Sequence, residues 1–158
     1  DGRAAAELFQ RLLAQDPGNA KAAAGLVRAR VVQGDLKAAR KVLDGLPPAV
    51  AKSGDVAAAA AAVDLAEEGA RAGDVAKLRR ALEVAPDDHA TRFALAVALY
   101  GKQHFEAAIE ELLRIIRADR NWNEEAARKQ LVKVFDALGP SHPLTLASRR
   151  RLSAILFS

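Results

Sequence analysis

The feature that most constrains this 158-residue chain is a set of landmarks that occurs twice in one register, 69 residues apart. Pro17 matches Pro86, Leu26 matches Leu95, Ala39 matches Ala108 and Leu43 matches Leu112. A separation of 34 is present as well, because Ala5 with Phe9 is echoed by Ala39 with Leu43. The chain therefore reads as copies of a unit of about 34 residues. Each landmark has a physical reason. Proline cannot continue a helix and closes the unit. Gly34 supplies a left-handed helix stop and Asp35 an N-cap for the helix that follows. Small residues at Ala39 and Ala108 let two helices approach, while Phe9, Leu43 and Leu112 fill the space between them.

Composition favours helices throughout. Ala, Leu, Arg, Glu and Lys dominate, aromatics are only 4%, and alternating β-branched runs are missing, so the chain is expected to be all-α. Caps and breakers place helices near 3–15, 20–33, 36–45, 55–71, 75–85, 89–102, 105–118, 123–138 and 143–157. Pro47-Pro48 with Gly54 marks the loosest joint, and Gly139-Pro140 sets off the last helix. The period, the Ala-x3-Phe at Ala5 and Phe9, the following Pro17 and the upstream Leu26 resemble the tetratricopeptide repeat (TPR). That resemblance implies a right-handed solenoid of TPR-like helical hairpins closed by a terminal amphipathic capping helix. Residues 1–46 would hold one and a half regular repeats, 47–86 a degenerate hairpin, 87–122 a regular repeat and 123–158 the C-terminal cap. The pattern departs at Ala23, where a bulky aromatic is usual, at Gln103-His104 in place of Gly-Asp, and at Arg120 in place of the closing proline.

The last forty residues carry a more specific likeness. Leu112-Leu113 with Ile115-Ile116-Arg117, Asp119-Arg120 with Trp122, Ala126 to Lys129, Phe135, Gly139-Pro140 and Arg149 to Phe157 resemble the C-terminal region of bacterial thioredoxin-like co-chaperones of the YbbN/CnoX type. The resemblance implies a cytoplasmic module that binds unfolded clients and passes them to the GroEL/GroES chaperonin and to DnaK. It also implies a thioredoxin-like domain outside this chain, to which any redox chemistry would belong. Two other readings stand beside it: an adaptor tethering a thioredoxin domain to one folded partner, and RNA or ribosome association through the basic C-terminal half.

Charge bears on the last of these. Residues 1–88 hold 13 Lys and Arg against 13 Asp and Glu, whereas residues 89–158 hold 11 against 7, so the net +4 lies in the second part. Its densest point is Arg149-Arg150-Arg151, without the aromatic interleaving or motif of a nucleic-acid surface, so nucleic acid is not the expected partner. With no cysteine there are no disulfides, thiolate metal sites or thiol catalysis. No apolar run suffices to cross a bilayer, so no membrane partner is expected.

Nothing in the pattern reads as an enzyme, a metal site or a cofactor site. His89, His104 and His142 form no ligand motif, and neighbouring acids such as Glu110-Glu111 diverge by about 100° on a helix. The expected client groove is Lys21 and Arg28 from one repeat with Phe93, Val97 and Tyr100 from the other. A carboxylate clamp of the kind some TPR domains use is not expected, since the inward positions offer no asparagine. The final helix presents Leu144, Ala147, Leu152, Ile155 and Leu156 at helical spacing. It is read either as a cap on the array or as a partner-docking helix formed by Arg149, Arg150, Arg151, Leu152, Ile155, Leu156 and Phe157. Trp122 is expected to be a packing anchor.

Overall fold

A computed structural model describes residues 1–158. It contains ten helices and no strand, so the fold is all-α. The chain divides into two compact units, Asp1–Asp64 and Leu65–Ser158.

The first unit is built from α1 (Gly2–Gln15), α2 (Ala20–Val32), α3 (Leu36–Asp44), α4 (Pro48–Ala51) and the first part of α5 (Gly54–Arg71). Helix α2 packs against both α1 and α3. Its small side chains allow this: Ala23, Ala24 and Val27 are buried together with Ala39, Val50, Val56, Ala59 and Val63. Gly25 serves the same close packing, because a β-carbon there would lie 2.6 Å from the Phe9 ring and displace it. The one element not expected from sequence is α4. Pro47-Pro48 does not loosen the chain: Pro48 stands in the first turn of a short helix, where its fixed φ fits and its missing N–H has no partner to lose.

The second unit holds the last turns of α5, then α6 (Val75–Val84), α7 (His89–Gly101), α8 (Phe105–Ala118), α9 (Trp122–Leu138) and α10 (Pro143–Leu156). Helix α7 is its centre. Leu95 to Tyr100 are six consecutive buried residues, the signature of a helix covered on all sides. Helix α8 packs on α7 and α9, and α10 packs on both α8 and α9. Leu113, Ile115 and Leu131 are 0% exposed, and complete burial of such a side chain stabilises by about 2 kcal/mol. The closest backbone approach is at Gly69 in α5, where a β-carbon would stand 2.5 Å from Gly101 Cα and 2.8 Å from the Val97 carbonyl oxygen.

The repeat is visible in hydrogen bonds. Three turns use the same bond from an amide to the carbonyl three residues earlier: Asn19 to Asp16 at 3.1 Å, Asp88 to Ala85 at 3.2 Å and Trp122 to Asp119 at 3.3 Å. At the first two, the turn residue then caps a helix, Asn19 accepting from the Ala22 amide and Asp88 from the Thr91 amide. The hairpin turns also match. Gly34 donates to Val31 and Asp35 to Arg30, and 69 residues later Gln103 donates to Tyr100 and His104 to Leu99. Each is a Schellman closure, with φ +77° at Gly34 and +63° at Gln103. Asp35 caps α3 through its side chain, whereas His104 makes no capping bond for α8.

The third turn departs from its predecessors. Trp122 stands where Asn19 and Asp88 cap, and an indole has no acceptor oxygen. Asn123, Glu124 and Glu125 take φ values of +46°, +55° and +62°, a left-handed turn before the right-handed helix begins. The expectation that α9 starts directly at residue 123 is therefore corrected. Left-handed backbone costs roughly 1–2 kcal/mol for a residue with a β-carbon.

Two stability outcomes follow from these geometries. Gln103→Gly removes a β-carbon from a left-handed position and His104→Asp restores a cap, so each raises unfolding stability by about 1 kcal/mol, measured by urea titration. Gly69→Ala forces a β-carbon into the α5–α7 crossing and lowers the urea midpoint followed by Trp122 fluorescence, a loss of about 2–3 kcal/mol.

Candidate functional site

The residues singled out from sequence fall in both units. Lys21 is exposed and Arg28 half-buried on α2 of the first. Phe93, Val97 and Tyr100 lie on α7 of the second. Val97 and Tyr100 are only 8% and 5% exposed, because α7 is enclosed on every side, and the Tyr100 ring packs 4.9 Å from that of Phe105. They serve the core, while Phe93 keeps half-exposed area.

Around Phe93 the structure assembles an aromatic group that sequence spacing did not reveal. The Trp122 ring lies 5.7 Å from Phe93, tilted by 48°, and 6.0 Å from His89 in an edge-on arrangement at 72°. All three side chains are half-buried. The expected anchoring role of Trp122 thus has named partners, one turn apart on α7. The Nδ1 atom of His89 is buried and has no hydrogen-bond partner. No signal in the sequence joins residues 89 and 122; the turn at 119–122 brings them together.

Beside this group, Arg92 pairs with Glu111 at 2.6 Å and donates to the Pro86 carbonyl at 2.8 Å. Both side chains are 15% exposed, so the pair is largely removed from water and fixes α7 against α8. Removing one partner from such a pair costs about 3 kcal/mol. Elsewhere in the second unit Gln130, buried on α9, donates to Glu68 on α5 at 3.2 Å, and Lys133 approaches the same carboxylate at 3.8 Å.

Helix α10 is docked by polar as well as apolar contacts. Its inward face is Thr145 and Ser148, with Leu144, Leu152, Ile155 and Leu156 half-buried. Ala147, expected on that face, is exposed, since Thr145 and Ser148 set the face about one residue away from it. The Arg149 guanidinium stands over the Phe135 ring at 5.6 Å, and Arg151 makes a two-point pair with Glu110 at 2.7 and 3.1 Å. Arg150 is exposed, and so is Phe157 at 85%. A cleft of about 690 Å³ lies between the ends of α8 and α10, lined by Ile116, Arg117, Arg120, Arg151 and Ile155 among others. Arg120 reaches across it to the Leu156 carbonyl at 3.4 Å.

The Glu110–Arg151 bond has a pH signature. Hydrogen bonding from Arg151 holds the Glu110 carboxyl below its ordinary range, against a smaller opposing effect of burial. A depressed folded-state value means that stabilisation is complete above the unfolded carboxyl's range and disappears as pH falls through the folded value. The Glu110 pairing therefore helps hold α10 at neutral pH and stops doing so only as pH falls below the ordinary carboxyl range. In Glu110→Gln the protection factors of the α10 amides at neutral pH are expected to fall below those of the parent, as measured by hydrogen exchange.

No group of three or more His, Asp or Glu side chains is placed to hold a metal ion. No helix is long and apolar enough to cross a membrane. Comparison with curated proteins finds no match. Family models described as tetratricopeptide repeat match residues 1–63 and residues 68–157, which follow the two compact units almost residue for residue. Repeated turns, hairpins closed in the same way and these matches along the chain lead to one conclusion: the protein belongs to the tetratricopeptide-repeat family of protein–protein interaction modules.

Proposed function

We propose that this chain is the protein-binding module of a cytoplasmic, thioredoxin-like co-chaperone, which holds non-native clients and hands them to the GroEL/GroES chaperonin and DnaK. The observation that carries the binding role is the half-exposed aromatic group of His89, Phe93 and Trp122 on a rigid helical scaffold. Aromatic side chains supply large contact area at low entropic cost, which suits a surface that must accept varied apolar segments. The co-chaperone assignment is supported by the likeness of the last forty residues to the YbbN/CnoX type. Phe157, fully outside the packed face of α10, and the exposed Arg150 are the residues best placed for chaperonin contact. Lys21 and Arg28 on the first unit are proposed as further client contacts.

The test is co-elution of the purified chain with GroEL and suppression of aggregation of a chemically denatured client. The intact chain is expected to do both, and truncation after Leu144 is expected to abolish co-elution while circular dichroism shows α1 to α9 still folded. Co-elution that survives truncation would remove α10 from the interface. Failure of the intact chain in both assays would overturn the co-chaperone reading.

A further inference from the structure

We propose that Trp122 is a movable cover over a binding site formed by His89 and Phe93, and that this site takes the phenol side chain of a tyrosine in a bound polypeptide. The proposal deepens the protein-binding reading and rests on it. Three observations converge on the same few residues. The first is strain: directly after Trp122 the chain turns left-handed over Asn123 to Glu125, a conformation asparagine tolerates but neither Glu124 nor Glu125 favours. Strained backbone of this kind persists where surrounding contacts over-determine it, and it marks clamps and switches. Here the restraining contacts are Trp122 on His89 and Phe93, and Glu125 paired with Arg128 at 2.9 and 3.3 Å.

The second observation is the missing cap. At the two equivalent turns Asn19 and Asp88 bond the first helical amides, so the helix begins at once. With Trp122 in that place the chain, on this proposal, has two arrangements. In one the indole is docked and the turn is left-handed; in the other the turn relaxes into a right-handed first turn of α9 and the indole swings away.

The third is chemical. The His89 ring, which the indole meets edge-on, carries a buried polar atom, Nδ1, that nothing in the chain satisfies. An indole can only donate, whereas a phenol hydroxyl both donates and accepts, and so can satisfy Nδ1 in either imidazole tautomer. The present occupant is thus a large aromatic ring that leaves the polar atom unused, and a tyrosine ring stacked on Phe93 would use it.

The probe is N-acetyl-L-tyrosinamide, with N-acetyl-L-phenylalaninamide as the analogue lacking the hydroxyl, both followed by NMR shifts of the His89 imidazole in the full chain. Trp122→Asp removes the cover and restores the cap; it is expected to bind the tyrosine probe about tenfold more tightly than the parent, the factor by which a covered site lowers apparent affinity. It is also expected to prefer the tyrosine probe to the phenylalanine probe by about fivefold, the loss of one hydrogen bond. No response of His89 in this variant, or an equal response to both probes, would overturn the site. The double variant Asn123→Gly/Glu124→Gly relieves the left-handed turn and holds the cover closed. Its Trp122, the only tryptophan in the chain, is expected to be less accessible to acrylamide than in the parent, and equal accessibility would overturn the movable cover. A chain that protects clients from aggregation yet shows no His89 response would lose this site and keep the protein-binding role.

Discussion

Every hairpin in this protein depends on how its helices end. An α-helix leaves four amides and four carbonyls unpaired at its termini, and ten helices in 158 residues bring such ends together every few residues. The chain meets this demand with two recurring devices: a turn closed by an amide bonding three residues back and followed by a capping side chain, and a left-handed residue that folds the last carbonyls onto the next amides. Packing of small residues along α2 and α7 exploits the geometry those ends impose. Where a device is complete, as at Asp16–Asn19 or Gly34-Asp35, the next helix starts without irregularity.

Much of this was legible from residue types alone. Gly34 and Asp35 state their roles by chemistry, and Pro17 and Pro86 mark the helix junctions, so every helix except α4 and the start of α9 could be placed within a residue or two at its ends. Gln103 and His104 were recognised as departures, yet the backbone keeps the same closure there, because two flanking hydrogen bonds suffice to impose a left-handed residue on a glutamine. The left-handed turn at Asn123–Glu125 could not be read. It arises from a tertiary contact, Trp122 on α7, that outweighs a local sequence well suited to a helix start. Helix α4 was hidden for another reason: a Pro-Pro pair announces a break and a helix start equally well.

The site was less legible than the fold. A 3.6-residue period placed Val97 and Tyr100 with Phe93, but periodicity cannot tell a helix covered on one side from one covered on all, and α7 is the second kind. The relations that give the surface its character join residues distant in sequence: Arg92 with Glu111, His89 with Trp122, Arg151 with Glu110. None of these pairs has a local motif. The three C-terminal arginines, which looked alike in sequence, are separated by the fold into one over a ring, one in solvent and one in a two-point ion pair.

The crossing of Gly69 and Gly101 carries an evolutionary consequence. Two backbones in van der Waals contact at a single point make each position a veto on the other, so neither can drift alone toward a larger side chain without displacing a whole helix. Among descendants that keep this packing, the two glycines should be inherited as a unit even though 32 positions separate them in the chain. Descendants that lose one would be expected to lose the other soon after, leaving a wider crossing whose inner surface is free to diversify.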